Sequence, residues 1–222
     1  SPASMEALLA DGSAADEVID RACGVRDCRD IRLFWYTALE AAKGAARATG
    51  KPILSLRLLG RLDEEFSCAN SRFFRTVYYK NRAINDLLRE RYILHWRSVR
   101  PVPRVTIDFG DGTKLERTLT GNSIHYVLDS RGRLIEALPG LSGPTAFQLA
   151  LNEAAQAARR AEQLDDAAFG PWRAERHQRA WEVRAGAFTR ESTRDPWAIL
   201  RATPGVLSDR INVGGGETAS KM

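Results

Sequence analysis

The stretch "FSCANSRFF", residues 66–74, holds the residues best suited to chemistry: Cys68 and, three places on, Ser71. If a helix begins here, Cys68 sits just ahead of it. Unpaired backbone N–H groups and the positive end of the helix dipole then favour a thiolate. Arg72 and Arg75 follow on the first turns, and Arg57 and Arg61 precede the motif. Cationic surroundings make a thiol a better nucleophile. Asp63, Glu64 and Glu65 oppose that effect. Ser71 decides the reaction type, because serine cannot close a disulfide within the motif. Such a site attacks a substrate disulfide and holds a mixed disulfide. An external thiol such as glutathione then releases it, or bonds are exchanged as in an isomerase. The competing reading makes Cys68 a small buried side chain, with Phe66, Phe73 and Phe74 as the edge of a packed core.

The other two cysteines, Cys23 and Cys28, stand close together. They are candidates for a structural disulfide, with a redox role or free thiols as alternatives. Their loop is short, so a bond there is expected to contribute only about 2 kcal/mol. Cys-x4-Cys with no histidine near it is a poor zinc signature, and no metal is expected. His95 and His125 fall on predicted strands and could face each other across a sheet. Hydrogen-bonded core or surface positions are the plainer reading. Asp108, Asp111 and Asp129 fall at turns, where Asp is favoured anyway. No P-loop, Gly-x-Ser-x-Gly or His-Glu-x-x-His motif is present, so no cofactor is expected.

Around these residues stands a chain of 222 residues with a net charge of +5 and 44% hydrophobic residues. That suits one domain with extensions and a substantial core. The charge is a diffuse excess of arginine and not a basic block, so nucleic acid is not an expected partner. No apolar run reaches the length of a membrane span. No signal-peptide pattern is read from Ser1 onward, and a leader removed upstream would leave no trace. The cysteine pair points towards an exported or periplasmic bacterial protein. The oligomeric state is left open.

The spacing predicts a helix over 34–49, with Trp35, Leu39, Ala42 and Ala46 on one face and Gly50 as its stop. Residues 52–60 alternate and predict a strand. A helix follows Cys68 over 70–80, with Asn70 or Ser71 as N-cap. "NRAINDLLRERY" predicts another, with Ile84, Leu87, Leu88 and Tyr92 on its apolar face. Strands are predicted over 93–98 and 104–112, the second turning at Gly110-Asp111-Gly112 into 114–121. A further hairpin pairs 123–129 with 134–138. A long helix is predicted over 144–164, with Pro144 in its first turn. "RSVRPVPR", 97–104, reads as an exposed extended segment, either solvated or able to hold an acidic peptide. A last helical stretch lies around 171–185, and the final dozen residues read as a mobile tail.

This order, with a cysteine at a strand-to-helix junction, resembles the thioredoxin-like family from about Phe34 to Leu164. "LEAAKGAARATGKPILSL" looks like the family's first helix and central strand. "CANS" stands where the family carries Cys-x-x-Cys, and "GNSIHYVLDSRGRLIEALPG" looks like its later hairpin. The resemblance implies an α/β/α three-layer domain over 31–164. An N-terminal arm (1–30) precedes it, and a helical extension and tail (165–222) follow. It departs from the family at two places: Ser71 replaces the second cysteine, and Ser123 stands at the usual cis-proline position facing the first. The function implied is thiol–disulfide exchange, as oxidoreductase or isomerase, by a single nucleophile, Cys68, with Ser71 as thiolate partner. Arg72, Asn122 and Ser123 would line the groove for a protein or low-molecular-weight thiol substrate. The alternative implied is a redox-inactive module that binds a protein partner through that groove and the Trp-bearing C-terminal helix.

Overall fold

Strand β2 (Ile53–Leu59) is buried along its whole length except at Arg57, which marks it as a central strand covered on both faces. The structure is a computed structural model, and it describes residues 1–192, with side chains through 183. The expected mobile tail lies outside the described residues. The chain is mixed α/β. Its five-stranded mixed sheet runs β1 (Trp35–Tyr36), β3 (Ile93–Arg100), β2, β6 (Ser123–Leu128), β7 (Leu134–Pro139). β3 lies parallel to both β1 and β2, whereas β6 is antiparallel to β2 and to β7. A separate two-stranded sheet, β4 (Arg104–Asp108) with β5 (Lys114–Thr118), is inserted between β3 and β6.

The period-2 alternation of the strands sorts the core into two sides. Leu54, Leu56, Leu58, Leu94, Trp96 and Val127 point to one side. They meet helices α6 (Arg82–Arg91) and α7 (Pro144–Glu162) through Ile84, Leu88, Phe147 and Leu151. On the other side Ile53 and Leu128 pack against Ala42 and Ala46 of α4 (Leu39–Thr49). Asn81 caps α6, its Oδ1 accepting from the Ile84 amide at 3.2 Å. Asp129 is fully buried in the β6–β7 turn. Its carboxylate accepts from the amides of Arg131 and Arg133 and from Arg133 Nε at 2.6 Å.

Several expectations change here. Residues 34–38 do not belong to the helix. Trp35 enters the edge strand β1 opposite Leu94, and α4 begins at Leu39. The spacing of Trp35 with Leu39 fits a helix, and a two-residue strand has no period that could contradict it. The first thirty residues form α1 (Pro2–Asp11), α2 (Asp16–Cys23) and α3 (Cys28–Ile31), and Ile19, Val25 and Ile31 are buried in the main core. Cys23 and Cys28 are bonded to each other. Asp20 Oδ1 accepts from the Cys28 amide at 2.9 Å, and Trp96 Nε1 donates to the Gly24 carbonyl at 2.6 Å. The C-terminal helix α8 runs from Asp166 to Ser192, longer than its apolar residues suggest.

Candidate functional site at Cys68

After β2 the chain turns at Gly60, where a Cβ would come within 2.9 Å of the Phe66 carbonyl. It returns so that the Cys68 amide donates to the carbonyl of Leu59, the last residue of β2, at 3.1 Å. Helix α5 (Ala69–Phe73) starts immediately afterwards. Cys68 is therefore the N-cap residue, in place of Asn70 or Ser71, although its side chain makes no capping bond. The helix then widens into a π-turn over Phe74–Tyr78, with the Tyr79 amide donating to the Phe74 carbonyl at 2.8 Å. That wider turn brings Phe74, Arg75, Tyr78 and Tyr79 into the interior together.

The loop before β6 closes over the motif. The Ala69 amide donates to the Thr120 carbonyl at 3.0 Å, and Asn70 Nδ2 donates to Ser123 Oγ at 3.1 Å. A Cβ on Gly121 would lie 2.2 Å from Asn70 Oδ1, so any side chain here would displace that of Asn70. The Cys68 sulfur lies 3.4 Å from Ser71 Oγ and 3.7 Å from the Asn122 carbonyl oxygen. Cys68, Ser71, Asn122 and Ser123 are thus brought together as the sequence suggests. No cis peptide bond occurs among the described residues, so serine at 123 follows a trans bond.

Two features bear on the choice between the two readings of Cys68. First, the sulfur is away from solvent: Cys68 is 0% exposed. Second, the neighbours differ from those expected. The Ser71 hydroxyl donates to the Cys68 carbonyl at 2.7 Å, which leaves only its lone pairs for the sulfur. The Asn122 carbonyl also only accepts. Both partners suit an S–H donor, and neither offers a proton to a thiolate. The arginines are engaged elsewhere. Arg72 Nη1 donates to Thr118 Oγ1 at 2.8 Å, and Arg61 pairs with Asp63 and Glu64. Arg75 is 4% exposed. Its Nη2 reaches Ser67 Oγ at 3.4 Å, and its Nε and Nη1 have no partner.

The histidines do not meet. His95 is level with Ser55 on β3, whereas His125 is level with Leu56 on β6, so they point to opposite faces of the sheet. Ser55 Oγ and His95 Nδ1 are 2.8 Å apart. His125 Nε2 lies 3.0 Å from the Tyr79 hydroxyl, and its ring is surrounded by Phe74 and Phe147. Burial pushes His125 from the ordinary 6.5 down to about 3. Burial, then the charges of Arg57 and Arg97, push His95 to about 4. Sequence reasoning passed over Thr118, Gly121 and Asn70 as parts of the site. The one available signal was the count of polar residues around a single cysteine, because their meeting depends on a loop some fifty positions away. Among the described residues no group of His, Cys, Asp and Glu is placed to hold a metal ion, and no helix is long and apolar enough to cross a membrane. Compared with known proteins, the chain matches no family model and no curated protein.

Proposed function

We propose that this chain is a thioredoxin-like α/β module that docks a protein partner, with Cys68 as a buried structural thiol. The fold part of this reading is supported by the sheet order and by helices on both faces of the sheet. A helix that starts at a cysteine straight after the central strand, with residue 123 across from it, supports it further. The functional part is carried by one observation: the Cys68 sulfur is sealed, and the groups around it only accept. Disulfide exchange requires a sulfur that another sulfur can reach in line. A sealed motif leaves the surrounding surface for non-covalent work. Gly121 and Asn122 are exposed above the motif, and Trp181 on α8 is 66% exposed.

A second reading is favoured by the nature of the cover, which is a single short loop, 119–122, with Leu119, Gly121 and Asn122 exposed. If it lifts, the Cys68 thiolate attacks one sulfur of a substrate disulfide. The S–S bond breaks, the other substrate sulfur leaves as a thiolate, and a mixed disulfide remains for a small thiol to resolve. One experiment separates the two. Because Cys23 and Cys28 are bonded, Cys68 is the free thiol, and iodoacetamide labelling reads it without interference. The docking reading expects no labelling of native protein between pH 6 and 9, full labelling on denaturation, and none in Cys68→Ser. Rapid labelling of the native chain at neutral pH would refute it in favour of exchange.

A further inference from the structure

The β4–β5 hairpin carries large apolar side chains into solvent. Register places Val105 opposite Arg117 and Ile107 opposite Leu115, so these four share one face. The other face carries Arg104, Thr106, Asp108, Lys114, Glu116 and Thr118. At the root of the hairpin two residues of this second face meet the body, whereas Thr106, Asp108, Lys114 and Glu116 are exposed. Thr118 Oγ1 donates to the Ser67 carbonyl at 3.0 Å, and the Arg104 guanidinium lies over the Phe66 ring at 4.4 Å. On the first face Val105 and Leu115 are half-buried, and the apolar side chains towards the tip are in solvent. Ile107 is 43% exposed and Phe109, beside it, 59%. Neither packs against either core cluster.

We propose that the first face of the hairpin docks an extended acidic segment of a partner protein, added as a third strand. The proposal builds on the docking reading and names its surface and the chemistry of the partner. Three observations carry it. Among the described residues the hairpin is a sheet of its own, so each strand keeps a free edge of backbone donors and acceptors. Its apolar side chains sit at alternate positions, the pattern a strand reads. The single charge on that face is positive, Arg117, whereas the carboxylates Asp108 and Glu116 lie on the other face. Arg100 stands at the root of the hairpin, and neither it nor Arg117 has a carboxylate partner among the described residues. An acidic side chain two positions from an apolar one lies on the same side of the added strand, so it would meet Arg117 while the apolar one covers Ile107 and Leu115. A second copy would bring a face whose single charge is also positive.

The test is selection of a displayed library of random peptides, about ten residues long, on the immobilised full chain. The best peptide is then titrated by fluorescence anisotropy. Enriched sequences should carry Asp or Glu two positions from an apolar residue. Binding should weaken roughly tenfold or more in Arg117→Glu and with added salt. It should be lost in the double variant Ile107→Thr with Phe109→Thr, whose exposed positions leave the fold intact by circular dichroism. Failure to enrich, enrichment of neutral or basic sequences, or binding indifferent to these variants overturns the proposal. So does a concentration-dependent dimer in sedimentation that the double variant dissolves. A reactive Cys68 would overturn the reading of the thiol and leave the peptide result untouched, so the two failures are distinguishable.

Discussion

Acidification from about pH 7 to about pH 5 should weaken the fold sharply, because His95 and His125 are both held neutral inside it. Their folded pKa values, about 4 and about 3, lie below the ordinary 6.5 of an unfolded histidine. Between those limits the unfolded chain takes up protons that the folded chain refuses. Unfolding is therefore favoured as pH falls, and the full stability is present only above about 6.5. Each histidine contributes up to about 1.4 kcal/mol per pH unit, so the two together cost about 4 kcal/mol by pH 5. Against a typical margin of about 5–15 kcal/mol, that is a large share. Asp20 works the other way, since burial raises its carboxyl, and it offsets part of this loss. The assay is urea unfolding by tryptophan fluorescence at half-unit steps from pH 7 to 5. The midpoint should fall by more than about 1 M. His125→Phe, which suits a cage of Phe74 and Phe147, should remove about half of the slope. His95→Gln should remove the other half. A flat wild-type profile, or a slope that survives both substitutions, refutes the reasoning.

Three further outcomes are expected. Arg75→Met should be neutral or stabilise by about 1–4 kcal/mol, because two guanidinium nitrogens are buried without partners. A fall of several degrees in thermal midpoint would contradict this. Asp129→Ala should destabilise by about 1–3 kcal/mol in denaturant titration, since two turn amides lose their acceptor while Arg133 keeps Asp166 and its carbonyl partners. An unchanged midpoint would show that the turn does not need the carboxylate. Gly121→Ala should drive the Asn70 side chain away from Ser123 and loosen the loop over the sulfur. Iodoacetamide labelling of Cys68 should then speed up by at least tenfold, and an unchanged rate would show that loop 119–122 is not the cover.

What the sequence discloses is what local rules govern. Asn81 with Ile84, Leu87 and Leu88 announces α6 through a cap and one apolar face. The Gly-Asp-Gly turn and the Asp129–Gly132 turn announce their hairpins, because each needs residues that accept unusual backbone angles. Trp35 misleads because aromatic spacing is read against a helix when the competing strand is two residues long. Ile19, Val25 and Ile31 give little warning of their burial. Too few apolar residues surround them to form a period, and their partners lie in distant strands. The place of Cys68 at a strand-to-helix junction is legible. Its depth is not, because a loop joined to it only by tertiary packing decides whether the sulfur sees water. For the same reason Ser71 reads as a thiolate partner, yet its proton is committed to the Cys68 carbonyl.

The widened turn at Phe74–Tyr78 sets two adjacent tyrosines to separate tasks: Tyr78 anchors the Ser142 carbonyl at 2.6 Å, while Tyr79 meets His125. A helix of ordinary pitch would swing one of the pair outwards. Removing one residue from this segment would let it wind as a regular helix and would take part of the set Phe74, Arg75, Tyr78 and Tyr79 out of the interior. Length, more than composition, is what this segment has to preserve.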